Sequence, residues 1–177
     1  RQGRFGARLV VLGRGADQDR RLQIVRTFKA PRALVWQAFT DPYHLSQWWG
    51  PRGFTSPVCE LDLRVGGRWY HEMQAPDGSR YPVDCVFLEV TPPERLVYRN
   101  EAATDCVFGD NPPPSFIHAL SFEDLGDATR LTLDAVFETV ADRDAVARRG
   151  FAEGTSEGFD KLDVVLAEWS RTFEAAP

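Results

Sequence analysis

The sequence predicts an α+β domain in which a curved antiparallel sheet of about seven strands wraps around one long C-terminal helix. Three observations lead to this fold class. The predicted elements follow the order strand, helix, helix, six strands, long helix. The connections between the six strands are short, which favours an antiparallel meander. The last helix has one apolar stripe at steps of three and four residues, formed by Phe159, Leu162, Leu166, Trp169 and Phe173.

The first strand and the first helix have simple local signals. Residues 22–28 alternate in part between apolar and polar side chains, as a half-buried strand does. Pro31 then opens a helix over residues 32–39, because a proline in the first turn lacks only an N–H group that has no partner there.

A second, short helix follows directly. Asp41 is its expected N-cap and Pro42 its first residue, and we expect the helix to run to about Trp48, before the Gly50-Pro51 break. Adjacent residues point in different directions, so Trp48 and Trp49 need separate environments. We expect one tryptophan to pack under the helix pair and the other to face a cavity entrance. The alternative, that both wedge the helices onto the sheet, stays open.

Six strands follow, separated by glycine, proline and aspartate turns. They are predicted at residues 54–65, 68–74, 83–90, 95–100, 115–123 and 129–139. A sheet of this width curls as it twists, and one helix cannot fill its whole concave side. The sequence therefore predicts a cavity between the sheet and the long helix.

Glycines interrupt the first half of the long helix. Asp142 is expected to cap either this helix or a short helix before it. Gly150, Gly154 and Gly158 recur every four residues, and each costs about 1 kcal/mol relative to alanine in a helix interior. We therefore expect a bend, a close approach of another segment or room for a ligand at these positions.

Composition and charge exclude several classes of protein. The 177 residues suit one core, and the net charge of −5 argues against a nucleic-acid partner. The sequence has neither a long apolar run nor a signal-peptide pattern, so we expect no membrane span and a cytoplasmic location. Residues 1–20 are predicted to be a leader and residues 21–177 the folded domain. The three cysteines have no C-x-x-C spacing and are expected to be buried free thiols: Cys59, Cys85 and Cys106.

Several short motifs, taken in order over residues 22–169, resemble one superfamily. They are F-K-A-P-R-A-L-V-W at 28–36, T-D-P at 40–42, W-W-G-P at 48–51, L-D-L-R-V-G-G at 61–67, P-D-G at 76–78, L-E-V-T-P-P-E-R-L at 88–96, S-F-E-D at 121–124 and G-F-A-E-G at 150–154. This set resembles the START-like (SRPBCC, polyketide cyclase/lipid-transport) superfamily, in the branch of homologues of the activator of the heat-shock protein 90 ATPase. The resemblance implies a helix-grip fold around a cavity. Members of the superfamily bind lipids, sterols, hormones or polyketides, and some catalyse cyclisation.

The chain departs from the family pattern at two places. Thr155 follows the Glu-Gly of the last helix, where the family often has a bulky residue, commonly tryptophan. This difference predicts a larger or more polar cavity. The three prolines at 112–114 are unusual for the branch, and we expect their loop to flank the cavity mouth.

The histidines are the candidate polar groups of the site. His44, His71 and His118 lie on different predicted elements without metal-ligand spacing, so we expect neither a metal nor a cofactor. By strand alternation, His71 and His118 lie on mostly apolar faces. A hydrogen-bonded core histidine is the ordinary interpretation. A ligand contact or an acid–base group is the functional one.

The predicted ligand-contacting residues come from four parts of the chain. They are Trp48, Trp49, Trp69, His71, Met73, Phe116, His118, Leu120, Thr155 and Phe159. We expect them to enclose a small hydrophobic or aromatic molecule. Two alternatives stay open: a cyclase- or dehydratase-type enzyme with His71 or His118 as acid or base, and a chaperone-associated interaction module. A homodimer also stays open, because small domains of this kind often pair, although the sequence shows no dedicated interface.

Overall fold

The computed structural model describes residues 8–9, 18–101 and 112–174, with side chains described within 18–101 and 112–172. The strands are β1 (Arg8–Leu9), β2 (Arg21–Phe28), β3 (Thr55–Leu61), β4 (Arg68–Gln74), β5 (Arg80–Thr91), β6 (Arg95–Asn100), β7 (Ile117–Asp124) and β8 (Thr129–Val136). The helices are α1 (Arg32–Thr40), α2 (Pro42–Ser46), α3 (Val140–Arg148) and α4 (Phe151–Glu174). Cys106 and the side chain of Phe173 lie outside the described residues.

The strands form one antiparallel sheet in the order β1-β2-β8-β7-β6-β5-β4-β3. Strands β3 to β8 are therefore a meander, and β2 joins this meander beside β8. The predicted α+β helix-grip fold is confirmed, because the seven predicted strands form a curved sheet with α4 as its long helix. Arg8–Leu9, from the predicted leader, pairs with β2 at the sheet edge. The domain boundary between residues 20 and 21 stays a prediction.

The core lies between the concave face of the sheet and the helices. Along β2, buried and more accessible side chains alternate, as expected for a strand with one buried face. Ile24 and Phe28 of β2 are at most 1% exposed, and Leu162 and Leu166 of α4 are at most 2% exposed. The rings of Phe28 and Phe159 meet edge to face with their centroids 5.5 Å apart. The apolar stripe of α4 thus packs where the sequence predicts.

Helix α2 begins as predicted and ends earlier. The Asp41 carboxylate accepts a hydrogen bond from the backbone N–H of His44 at 3.0 Å, which confirms Asp41 as the N-cap. The helix ends at Ser46 rather than at Trp48, so the prediction of its last turn is wrong. Trp48 and Trp49 still donate backbone hydrogen bonds to the carbonyl of Leu45, which keeps both residues close to the helix axis.

A turn at Gly150 separates the two C-terminal helices, α3 and α4. The Thr139 hydroxyl accepts a hydrogen bond from the backbone N–H of Asp142 at 3.0 Å, so Thr139 is the N-cap of α3. The prediction that Asp142 caps a helix is wrong, because Asp142 lies in the first turn of α3. Gly150 has φ +83°, a left-handed conformation that glycine adopts without strain. The bend predicted from the glycine spacing is therefore located at Gly150.

Two strands are shorter than predicted. Strand β3 ends at Leu61, because the backbone N–H of Arg64 and that of Gly67 close a tight turn over residues 62–67. A Cβ atom on Gly67 would lie 1.9 Å from the carbonyl oxygen of Asp62, so only glycine fits this turn. Strand β8 ends at Val136 because the cap of α3 follows three residues later.

Candidate functional site

A pocket of about 550 Å³ lies between strands β4–β8 and the first half of α4. This volume is within the range of small-molecule sites in proteins. All ten residues predicted as ligand contacts line the pocket: Trp48, Trp49, Trp69, His71, Met73, Phe116, His118, Leu120, Thr155 and Phe159. Their role as ligand contacts stays a prediction. Pro113, from the three-proline segment, also belongs to the lining.

Two stacked ring pairs form one corner of the pocket wall. Trp69 and His71, both on β4, stack with centroids 4.5 Å apart and an interplanar angle of 27°. Tyr98 and His118 are register partners on β6 and β7, and their rings stack at 4.6 Å and 14°. The ring of Trp69 meets Tyr98 edge to face at 5.0 Å and 86°. We call these four residues the aromatic corner.

Trp48 and Trp49 have different partners. Trp48 is 2% exposed, its indole N–H donates to the carbonyl of Ala38 at 2.9 Å, and its ring meets Phe39 at 4.8 Å. Trp48 thus packs under α1. Trp49 is half-buried and meets the ring of Trp69 at 4.8 Å. Trp48 is therefore the tryptophan under the helix pair, and Trp49 belongs to the wall beside the aromatic corner.

The proton position on His71 follows from its partner. The indole N–H of Trp49 donates to Nε2 of His71 at 3.0 Å, and an indole has no acceptor to offer in return. Burial lowers the pKa of His71 to about 3, so the imidazole is neutral near neutral pH. Its single proton is therefore on Nδ1. This buried N–H has no hydrogen-bond partner among the described residues.

Burial keeps the interior of the site uncharged. The ring of His118 is enclosed by Tyr98 and two phenylalanines, and burial, together with nearby His71, lowers the pKa of His118 to about 3. Burial also raises the pKa of the Tyr98 hydroxyl and that of the Cys85 thiol. Cys85 is buried as predicted, whereas Cys59 is only half-buried. All of these groups are therefore neutral near pH 7.

Comparison with known proteins identifies the family. Residues 29–167 match the family described as Activator of Hsp90 ATPase homolog 1-like protein. The chain belongs to this family. The resemblance to the START-like superfamily and to this branch of it is thus confirmed. No curated protein has significant similarity to the chain.

Solved bacterial structures share the fold of this family member. A protein of Nitrosomonas europaea is 28% identical, with 86% of this chain and 97% of that chain covered and a TM-score of 0.75. A protein of Rhodobacter sphaeroides is 25% identical, with 92% and 99% covered and a TM-score of 0.78. The AHSA1 protein of Silicibacter pomeroyi is 27% identical, with 83% and 97% covered and a TM-score of 0.66.

The segment of residues 49–54 is tied to α4 in this member of the family. Lys161 Nζ lies 3.1–3.4 Å from four backbone carbonyl oxygens of the segment, which share its three N–H donors. They are the carbonyls of Trp49, Gly50, Pro51 and Phe54. Burial lowers the pKa of Lys161. Cβ atoms added to Gly154 and Gly158 would lie 3.5 Å from Pro51 and 3.3 Å from the carbonyl oxygen of Gly50. The predicted close approach at these two glycines is therefore to the 49–54 segment.

The charged side chains of the lining interact with other groups. The guanidinium of Arg68 donates to both carboxylate oxygens of Asp84 at 2.7–3.0 Å and lies over the ring of Tyr70, 4.8 Å from its centroid. Glu101 pairs with Arg99 at 2.9 Å. Arg68 and Asp84 are 60% and 41% exposed, so they belong to the rim of the pocket.

Two negative findings concern metals and membranes. Within the part of the chain that the structure describes, no group of three or more His, Cys, Asp or Glu side chains is placed to hold a metal ion. Among the described helices, none has the length and apolarity needed to span a bilayer.

Sequence reasoning missed one residue of the aromatic corner, Tyr98. The sequence shows three adjacent apolar residues in β6, and Leu96, Val97 and Tyr98 are indeed all buried, so no single face stands out. The register of β6 against β7 supplies the missing signal. Tyr98 lies directly opposite His118, which was already predicted to face inward.

Proposed function

We propose that this chain binds a small hydrophobic or aromatic molecule in the pocket beneath α4. The observation that carries the proposal is the pocket of about 550 Å³ with its predominantly apolar lining, which includes nine phenylalanine, tryptophan and tyrosine side chains. Concave, mostly apolar pockets of this size are where proteins usually bind small molecules. Each Å² of apolar ligand surface buried there would contribute about 25 cal/mol before ordering costs.

The shape of α4 supports the proposal. The helix presents Gly154, Thr155 and Gly158 to the pocket, where larger side chains would occupy the volume. Aromatic rings such as those of Trp49 and Trp69 offer broad contact to a flat apolar molecule. The ligand-binding role that the superfamily resemblance implies agrees with this arrangement.

The enzymatic alternative finds less support in the geometry. A general base that works near neutral pH needs a pKa in that range. Burial instead lowers the pKa of His71 and that of His118 to about 3. Nε2 of His71 is also occupied by Trp49. A chaperone-associated role rests on the family description alone. The cytoplasmic location and the homodimer remain predictions, and light scattering after size exclusion would test the latter.

The direct test fills the pocket from α4. Thr155→Trp adds an indole on the pocket side of the helix, and Val164→Trp adds the same group on its outer side, where Val164 is 60% exposed. Binding of the uncharged apolar dye Nile red is measured by its fluorescence. We expect Thr155→Trp to weaken binding at least about ten-fold, since most of the apolar contact area would be lost. We expect Val164→Trp to bind like the unmodified chain.

Equal dye binding by the two variants, with both folded by circular dichroism, would contradict the proposal. The dye would then bind elsewhere on the surface. Failure of the unmodified chain to bind Nile red or any extracted hydrophobic molecule would contradict it as well.

A further inference from the structure

The chemistry of the pocket wall restricts the class of ligand, given the proposed function. Each charged side chain of the described lining already interacts with another group. Arg68 pairs with Asp84, Glu101 pairs with Arg99, and Arg149 has an interaction of its own. A charged ligand group buried here would have to break one of these interactions or remain uncompensated. The pairs at the exposed rim are weak, but a charged group left uncompensated in the interior of the pocket would bind poorly, because an unpaired buried charge is costly.

The interior of the pocket supplies no counter-charge either. Both histidines of the aromatic corner, the buried His71 and the half-buried His118, are neutral, since the loss of hydration lowers the pKa of each to about 3. Protonation of either ring would therefore be costly near neutral pH. The wall is thus matched neither to a carboxylate nor to an ammonium group.

Polar groups without partners remain at the aromatic corner. No described side chain or backbone group forms a hydrogen bond with the Tyr98 hydroxyl or with the His118 ring, although both residues line the pocket. Neither group is among the fully buried polar atoms without a partner, which at this corner are Trp69 Nε1 and His71 Nδ1, so both remain accessible from the pocket to a ligand or to water. The hydroxyl is a donor, and a neutral imidazole has one N–H donor as well.

The corner also has a defined shape. The Trp69–His71 stack and the Tyr98–His118 stack are nearly perpendicular, because Trp69 meets Tyr98 at 86°. A flat aromatic ring can lie against one stack while its edge meets the other, which are the two arrangements that aromatic pairs prefer. A globular or fully flexible aliphatic molecule would use neither surface fully.

We propose that the pocket takes an uncharged, flat aromatic molecule with a hydrogen-bond-accepting oxygen, and that this oxygen binds at the Tyr98 hydroxyl and the His118 ring. The oxygen is a carbonyl, a quinone or an ether, the classes that accept a hydrogen bond without carrying charge.

Four naphthalene probes of nearly equal shape test this inference. They are 2-acetylnaphthalene with a neutral carbonyl, 2-isopropylnaphthalene without an acceptor, anionic 2-naphthoate and cationic 2-naphthamidine. Dissociation constants are measured at pH 7 by calorimetry. We expect the ketone to bind about three- to ten-fold tighter than the hydrocarbon, the usual range for one net hydrogen bond. We expect it to bind at least about a hundred-fold tighter than either ion, because an unpaired buried charge costs more than a hydrogen bond contributes.

Two tyrosine variants assign the effect to the corner. Tyr98→Phe keeps the ring and removes only the hydroxyl, and Tyr43→Phe removes a hydroxyl from a side chain that is 70% exposed and outside the pocket. We expect Tyr98→Phe to reduce the advantage of the ketone over the hydrocarbon, because one of the two groups that bind its oxygen is lost, without weakening the hydrocarbon. Tyr43→Phe should preserve that advantage.

Tight binding of 2-naphthoate or 2-naphthamidine would overturn this inference. A ketone advantage that is undiminished in Tyr98→Phe would overturn it too. In both cases, binding of 2-isopropylnaphthalene would leave the proposed apolar binding function standing. Absence of binding by the hydrocarbon and the ketone alike would instead overturn both proposals.

Discussion

The two halves of α4, taken as residues 151–159 and residues 160–174, face the same sheet with opposite results. In the second half, Leu162 and Leu166 are buried against the sheet with almost no accessible surface. Asp160 and Asp163 of the same half accept hydrogen bonds from the guanidinium of Arg26, a buried residue of β2. Apolar packing and ion pairs thus hold this half of the helix firmly on the sheet.

The first half of α4 has small residues at the corresponding positions. Gly154 and Gly158 allow the 49–54 segment to approach the helix, and Thr155 leaves space above the aromatic corner. Side-chain volume on a single helix therefore decides whether the concave side of the sheet becomes a packed core or a pocket. The second half of this helix contributes to the packed core, and the proposed binding function concerns the first half.

The largest expected effect on stability comes from a substitution in the packed half. Leu162→Ala removes a fully buried side chain, and we expect it to lower the free energy of unfolding by about 2–5 kcal/mol. Val164→Ala, two residues away and 60% exposed, should change it by less than about 0.5 kcal/mol. Guanidinium chloride denaturation measures both values. Similar losses for the two variants would mean that this half is not the packed one.

The second-largest expected effect is a loss of folding stability in acid, caused by the two histidines of the pocket. In the unfolded chain, His71 and His118 take up protons near the ordinary pKa of 6.5, whereas in the fold their pKa is about 3. Below pH 6.5 the unfolded state therefore binds more protons, and stability falls as the pH is lowered. Each histidine contributes at most about 1.4 kcal/mol per pH unit.

Denaturation at pH 7.5, 6.5 and 5.5 tests this pH dependence. This window lies above the range in which carboxylates usually become protonated. His118→Phe keeps a ring in place and removes one of the two groups, so the loss of stability between pH 6.5 and 5.5 should shrink by about half. An unchanged pH slope in this variant would show that His118 is not held neutral by the fold.

Releasing the 49–54 segment should have a moderate effect. Lys161→Met keeps most of the length of the side chain and removes the ammonium group that binds the four carbonyls. We expect a loss of about 1–2 kcal/mol in the free energy of unfolding, together with weaker Nile red binding because Trp49 is released. Lys29→Met changes an exposed lysine and serves as the control. Unchanged stability and binding in Lys161→Met would exclude a role for this contact in shaping the pocket.

The smallest expected effect on stability concerns the aromatic corner. Because the Tyr98 hydroxyl has no hydrogen-bond partner among the described residues, Tyr98→Phe should change the free energy of unfolding by less than about 0.5 kcal/mol. Urea denaturation of the ligand-free chain provides the value. A loss well above 1 kcal/mol would show that the hydroxyl stabilises the fold, which would contradict its assignment to a ligand.

The contrast between the halves of α4 also explains how far the sequence could be interpreted. The packed half has a regular apolar stripe, and this period predicts a buried helix directly. The helix-grip fold and the inward positions of His71 and His118 followed from element order and strand alternation in the same way. Such signals depend only on residues that are close together in the chain.

The remaining features depend on contacts between distant parts of the chain. Gly158 lies beside Gly50, and Tyr98 lies opposite His118 because β6 pairs with β7. The periodic pattern of apolar residues along each segment predicts neither of these two pairs. The tautomer of His71 likewise depends on Trp49, 22 residues earlier in the chain. These long-range contacts determine the chemistry of the pocket, so the sequence predicts where the site lies better than what it binds.

Native mass spectrometry of gently purified protein, before and after extraction with organic solvent, tests the central claim most directly. We predict a reproducible excess mass that disappears on extraction, belongs to an uncharged aromatic compound and is absent from Thr155→Trp but present in Val164→Trp. An excess mass of equal size in both variants would contradict the claim, because the bound molecule would then lie outside the pocket beneath the first half of α4.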